Sequence, residues 1–389
     1  MKKVLLTSTA LFALSGAAAF AEVTLSGSAE MGVAGASAEI DRADGTSGEV
    51  SVPWEFFQDV DVDFTLTGET DGGLAFGANV DLDEAGNLGD EFSNQGVDIF
   101  ISGAFGTVTM GDTDGAVDFV ITDAGNIANP GSINDAETVH LGYNGAWLDG
   151  SGDGQIVRYD YSFEGFTFAA SVEQMPSDRE SCDAVFVTNQ DGDIQTFINA
   201  DGEEERVRRG SLCSTSSDGS LRDGDDDITW AVGFGYSFEF GGGSLDTGVG
   251  YQYSDNGSLS VGDSAEGVSI TLPVFQGEVA ATAVGATVNL DNGVSAGAGY
   301  TLFDADNADK GVHHWFVGGG YSFDAISVHA NYGEWNAPTS YVSGYGLSAG
   351  YDLGGGASLL AGYGASTAEN NAGGELTTEG YSFGLSFSF

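Results

Sequence analysis

From residue 22 onward the chain alternates. Between Glu22 and Val33, Val23, Leu25, Ala29, Met31 and Val33 fall on one face of an extended strand, and Glu22, Thr24, Ser26, Ser28 and Glu30 fall on the other. Side chains of a strand point to opposite faces in turn, so this period marks a strand with one apolar and one wet side. Residues 59–67 repeat it, with Val60, Val62, Phe64 and Leu66 against Asp59, Asp61, Asp63 and Thr65. Residues 74–83 do the same, with Asn79, Asp81 and Asp83 on the polar side. Further strands are expected near 97–105, 106–112, 155–163, 165–174, 228–239, 244–253, 279–290, 294–303, 313–323, 325–334, 341–353, 356–365 and 378–389, sixteen in all. No apolar run of about 18 residues follows the first strand, so a membrane-spanning helix is absent from the expectation.

The N-terminal segment fixes the compartment. Lys2 and Lys3, the apolar stretch Val4–Phe20 and the small residues Ala19 and Ala21 are expected to form a secretory signal peptide over 1–21, leaving 22–389 as the folded domain. Two of the 10 basic residues and none of the 59 acidic ones go with the signal, leaving 8 against 59. Such a surface repels nucleic acid, whose phosphates need basic partners, and attracts cations within the reach of salt screening. Cys182 and Cys213 lie in one loop-like segment of an exported chain, where a disulfide is the favoured state over two free thiols.

Export without a helical anchor leaves a soluble sandwich or a membrane barrel. Short turns such as Gly68 to Gly73, Asp291-Asn292-Gly293 and Gly354-Gly355-Gly356 alternate with longer polar loops near 35–52, 84–96, 113–154, 175–227, 254–278, 304–312, 335–340 and 366–377. Short turns on one side and long loops on the other are the plan of an outer-membrane barrel. Aromatic residues gather beside the short turns, among them Phe105, Phe163, Phe166, Phe238 and Phe323, as in an interfacial girdle. The prolines, Pro53, Pro130, Pro176, Pro273 and Pro338, fall in expected loops or at a strand start. The chain ends on Tyr381, Phe383, Leu385, Phe387 and Phe389 on one face, which resembles the terminal signal read during outer-membrane assembly. The expectation is an all-β, sixteen-stranded antiparallel transmembrane barrel in the bacterial outer membrane.

Several segments narrow this further. Glu22-Val-Thr-Leu-Ser-Gly, Leu66-Thr-Gly-Glu-Thr-Asp-Gly-Gly, Ile101-Ser-Gly-Ala-Phe-Gly-Thr-Val-Thr-Met-Gly-Asp, Tyr345-Gly-Leu-Ser-Ala-Gly-Tyr-Asp-Leu and the terminal Phe389 resemble the Rhodobacter-type general diffusion porins of alphaproteobacteria. The resemblance implies a water-filled channel for passive diffusion of small hydrophilic solutes, a homotrimer set in outer-membrane lipid and lipopolysaccharide, and a third long loop folded into the barrel to narrow it. That loop maps onto 113–154, directly after Asp112, and carries Asp114, Asp118, Asp123, Asp135 and Glu137 with no Lys or Arg. In the family an acidic loop faces a basic cluster on the wall. Here the lumen-facing wall positions hold Glu30, Asp59, Asp61, Asp63, Asp81, Asp83 and Asp98, and Arg158 is the only basic residue placed within a strand.

If 59–67 and 74–83 form a hairpin, their aspartates meet across it. Opposed side chains stand about 5 Å apart, where like charges cost roughly 1 kcal/mol per pair even in bulk water. Mobile cations, bound Ca²⁺ or Mg²⁺, protonation, or Arg158 reaching across could offset this, and a cation-preferring channel with no required cofactor is expected. A substrate-specific channel is the alternative, with Phe100 and Phe316 as its lumen-facing aromatics. An outer-membrane hydrolase is the reading from another class, with His140, His329 or the His313/His314 pair as the only available bases. No Gly-x-Ser-x-Gly elbow precedes a helix, and adjacent strand residues such as His313 and His314 point apart. Glycines such as Gly344 and Gly346 are expected to be small positions where side chains crowd, not a nucleotide fingerprint.

Overall fold

The computed structural model describes residues 22–84, 93–145, 147–149, 155–174, 183–186, 196–198, 204–206, 208–212, 228–265, 268–305, 311–338, 340–370 and 373–389. The signal segment 1–21 and both Cys182 and Cys213 lie outside the described residues. Sixteen antiparallel strands close into one barrel. In chain order they are β1 (Glu22–Asp41), β2 (Ser47–Glu69), β3 (Ala75–Glu84), β4 (Ser93–Gly103), β5 (Gly106–Gly111), β6 (Gln155–Phe163), β7 (Phe166–Gln174) and β8 (Ile228–Phe240). They continue with β9 (Gly243–Ala265), β10 (Val268–Leu290), β11 (Val294–Ala305), β12 (Val312–Phe323), β13 (Ile326–Ala337), β14 (Ser340–Gly354), β15 (Ala357–Asn370) and β16 (Glu375–Ser388). Each strand pairs with its sequence neighbours, and β16 returns to pair with β1 from Ser28↔Ser388 to Asp41↔Glu375. Closure leaves no strand edge unpaired, which a membrane demands of a sheet.

Each of the sixteen expected strands is present. The differences lie at their outer ends. Residues 35–41 and 47–52, read as loop, continue β1 and β2 as a hairpin, and β9 and β10 extend through most of the expected 254–278 loop. Pro53 sits in a bulge, not at a strand start: β2 gains one residue between the pairs Ala34↔Glu55 and Ala36↔Val52. A proline without an N–H is accommodated where the ladder is already interrupted. The bulge also exchanges the faces, so that Val50 and Val52 above it share the inner side with Glu55 and Asp59 below it. Residues 175–227 form a separate compact unit, with Asp183–Phe186 paired to Arg208–Leu212 and Thr196–Ile198 paired to Glu204–Arg206.

The outer face is apolar and exposed. Leu25, Phe56, Phe76, Ile99, Phe163, Phe166, Phe234, Val284, Val317, Leu347 and Phe383 are all exposed. Burial inside protein therefore does not explain this alternation. Hydrocarbon outside the barrel does.

Candidate pore and its inner loop

Two stretches of inner wall with different chemistry face each other. The segment after β5 runs along the inside of one of them. Its helical turn α1 (Ala116–Val120) lies on β7, β8 and β9, and two 3₁₀ turns follow. The turn at Ala124–Asn126 packs on β11, β12 and β13, and the turn at Ile133–Asp135 packs on β15, β16 and β1. The sequence expectation of an inward-folded loop at 113–154 agrees with the positions of its described residues.

Glycine makes this path available. A Cβ on Gly346 would run into the Glu137 carbonyl oxygen, one on Gly364 into that of Ala136, and one on Gly333 into that of Gly142. Gly318 faces the Ala124 carbonyl in the same way, while Gly32 and Gly384 leave room for the Ile133 side chain. The glycines are crowded, as expected, but chiefly by loop backbone. The loop in turn buries Val117, Ile121, Ile127, Trp147 and Leu148 in one core with Phe303, Phe316 and Trp335 of the wall. Full burial of such side chains is worth about 1.5–3 kcal/mol each. Phe316 lies within this core and is not the lumen-facing aromatic expected from its strand position.

Polar wall residues satisfy the loop backbone that comes to lie out of water. His314 donates through Nε2 to the Gly142 carbonyl at 2.8 Å, and His329 donates through Nδ1 to that of Ile127 at 2.8 Å. Asn331 donates to the Glu137 carbonyl at 3.0 Å and to His329 Nε2 at 3.1 Å, and accepts from His140 Nε2 at 2.5 Å. Ser171, Ser366 and Gln252 accept from the backbone N–H groups of Ala116, Leu141 and Leu148 at 2.9, 2.8 and 3.1 Å. Thr301 accepts from the Trp147 indole at 2.8 Å. Three of the four histidines thus hold the loop, and burial keeps the His140 imidazole below its ordinary pKa. His313 points the other way and stacks on Tyr300.

The second stretch is acidic. In β1 to β4 the inner face presents Glu30, Glu55, Asp59, Asp61, Asp63, Asp81 and Asp98, with Asp83 at the next inward register position of β3. The register opposes Asp63 to Asp81, Asp61 to Asp83 and Glu30 to Asp59 directly. Neutral donors help: Ser28 Oγ donates to Asp61 at 2.8 Å, and Asn79 donates to both Asp98 oxygens at 3.1 Å. Arg158 does not reach across to these pairs. It donates to the Asp114 carbonyl at 2.6 Å and Thr113 Oγ1 at 3.2 Å, lies 4.0 Å over the Phe119 ring, and meets Asp160 at 3.6 Å. The Arg158 side chain is only 10% exposed, and its Nη1 is committed to the start of the loop.

The loop carboxylates divide. Asp112 and Asp114 are exposed, and Asp118 and Asp135 are half-buried. Asp123 and Glu137 are turned inward and buried, so of the six loop carboxylates expected at a constriction two are removed from it, and only Asp112 and Asp114 are fully exposed. Asp123 caps the first 3₁₀ turn by accepting from Asn126 N at 2.9 Å, and Glu137 accepts from Asn129 at 2.9 Å and closely from Ser132 Oγ. Sequence reading missed Asp149, which accepts from Gly115 N at 2.9 Å and closely from Gln252. Among the described residues no group of three or more His, Cys, Asp or Glu is placed to hold a metal ion.

Burial, with smaller contributions from Glu173 and Asp114, pushes the Asp149 carboxyl up to about 7. A released loop returns it to the ordinary range near 4. Between those values the docked form holds a proton that the released form lacks, so docking is favoured at low pH and weakens as pH rises towards 7. Bilayer recordings are expected to show more open-channel current noise at pH 8 than at pH 5, and Asp149→Asn is expected to flatten that difference. Equal noise at both pH values in the wild type would remove Asp149 as the cause.

A closed barrel with an apolar exterior, a polar interior and a loop folded inside is a transmembrane channel. The chain belongs to the Gram-negative porin family, whose model matches residues 7–371, and it is an outer-membrane channel. It is 27% identical to a porin of Rhodobacter capsulatus over 343 residues, 87% of this chain and 92% of that one. Its fold is similar to that of a porin structure refined at 1.8 Å resolution, with TM-score 0.56 and 21% identity over 95% of this chain and 100% of the other. It is also similar to a double mutant of the Rh. blastica porin, with TM-score 0.51 and 16% identity over the same shares.

Proposed function

We propose that this porin prefers cations, carries small hydrophilic solutes by passive diffusion, and works as a homotrimer in outer-membrane lipid and lipopolysaccharide. The observation that supports the preference is the imbalance of the inner surface. Seven wall carboxylates described above face the open part of the barrel, the exposed loop positions add Asp112 and Asp114, and Arg158 is engaged by the loop. Carboxylates lining a confined aqueous path raise the local cation concentration and lower that of anions. Carboxylates spread over several wall positions offer a permeating cation a series of sites, and such multi-site binding lets it leave, which conduction needs.

Reversal potential across a planar bilayer in a KCl gradient tests this. The expected sign is that of K⁺ permeating faster than Cl⁻, and the preference is expected to weaken between 0.1 and 1 M salt as screening shortens from about 10 to 3 Å. A potential of the opposite sign excludes the reading.

A further inference from the structure

Beside the loop, one part of the inner wall is left unfilled. Gly364 on β15 and Gly384 on β16 have their missing side chains replaced by loop atoms, but nothing lies within 4 Å of where a Cβ on Gly380 would stand. Gly380 pairs with Gly364 on one side and Ala36 on the other, and Ala36 pairs with Val52. The result is a half-open cavity of about 240 Å³ whose wall includes Ala36, Ala38, Val50, Val52 and Gly380, with Val139 of the loop at its side, 65% exposed, and with His140, Ser366 and Thr378 among its polar members. An apolar cavity of about 150 Å³ takes up benzene, and pockets that enclose drug-sized ligands begin near 300 Å³. The space fits one ring and little more.

The bulge in β2 places a charge beside it. Because β2 gains a residue there, the next inward side chain below Val52 is Glu55, opposite Ala34. Ala34 and Ala36 are two residues apart on β1, which is about 7 Å along a strand. An apolar recess one short alkyl chain away from a carboxylate defines a ligand with a ring at one end and a cation at the other.

We propose that this recess is a binding subsite for small arylalkylammonium ions, the ring against Ala36, Val52 and Gly380 and the ammonium at Glu55. The proposal rests on the cation-preferring reading, since an anion-preferring lumen would not admit such ions. Burying the ring removes apolar area from water, while the acidic wall supplies the approach of the cation. Such ions would pause in the channel where potassium does not.

Single-channel recording with phenethylammonium chloride tests it, with methylammonium chloride as the probe that carries the charge without the ring. In the wild type, phenethylammonium is expected to interrupt the KCl current at concentrations at least fivefold below those of methylammonium. Gly380→Leu fills the recess and is expected to raise the half-blocking concentration at least fivefold, and Glu55→Gln is expected to raise it by a similar factor. Ala36→Leu fills the same space from the facing strand and serves where Gly380→Leu does not assemble. Equal half-blocking concentrations in the wild type and a folded filling variant overturn the subsite and leave the ion preference standing. Block by neutral 2-phenylethanol as strong as that by phenethylammonium overturns the part assigned to Glu55. An anionic reversal potential in the same wild-type channels overturns the preference itself, and the subsite proposal with it.

Discussion

A channel with Asp59, Asp61, Asp63 and Asp81 all changed to Asn is expected to lose most of its preference for K⁺ over Cl⁻, the permeability ratio falling on the order of three- to tenfold. These four positions form a compact part of the acidic wall, since Asp63 opposes Asp81 and Asp61 lies one inward position away. Asn keeps the shape and hydrogen-bonding capacity and removes the charge, so the conducting cross-section stays the same while the potential along it drops. The same variant carries a second readout of opposite sign. Removing two opposed like-charge pairs across β2 and β3 relieves roughly 1 kcal/mol each, so the barrel in detergent should resist denaturant better than the wild type. An unchanged permeability ratio sinks the assignment of selectivity to this wall. A less stable barrel would mean that the aspartate pairs are held together by shared protons or bound cations.

The other large effect is expected at Trp335. This buried ring lies 4.4 Å from the His314 ring and 5.4 Å from Phe303, bracing the imidazole that donates to the loop at Gly142. Replacing a core Trp by Ala costs about 3–5 kcal/mol. The ladders of β12 and β13 are main-chain bonds and do not depend on this side chain, so the loss should fall mainly on loop docking. At about 1.4 kcal/mol per tenfold, the released population rises by roughly two to four orders of magnitude. Chymotrypsin is expected to cut Trp335→Ala protein in detergent at Phe119, Tyr143 or Trp147 under conditions that leave the wild type whole, with the strand signal in circular dichroism unchanged. Resistance equal to the wild type would place the hold on the loop elsewhere, for example at Asn331 or Gln252.

How far the sequence was legible depended on what each face touches. Where one face meets hydrocarbon and the other water, as in Asp59 to Thr67, the contrast between neighbours is large and the strand is plain. At 35–41 the contrast changes sides: the apolar residues Ala36, Ala38 and Ile40 are the inner ones, facing the recess and the core beside it, and Ser37, Glu39 and Asp41 are the outer ones, so the segment does not continue the outward-apolar pattern and passes for a loop. The direction of a loop carboxylate is a tertiary property, which is why Asp123 and Glu137 could be mistaken for lumen charges. The roles of His314 and His329 were equally hidden, because their partners Gly142 and Ile127 lie about two hundred residues away in the chain. Clustered glycines on the inner faces of β12 to β16 were the readable trace of a second layer of backbone. Their spacing showed crowding, and the residues crowding them became visible only in three dimensions.

The turn at Ile133 straddles the junction of the first and last strands, its side chain seated between Gly32 of β1 and Gly384 of β16. Half of that seat does not exist until the two ends of the chain have met. Seating this turn therefore depends on closing the cylinder, and a precursor with its first and last strands apart lacks part of the loop's support as well as a sealed wall.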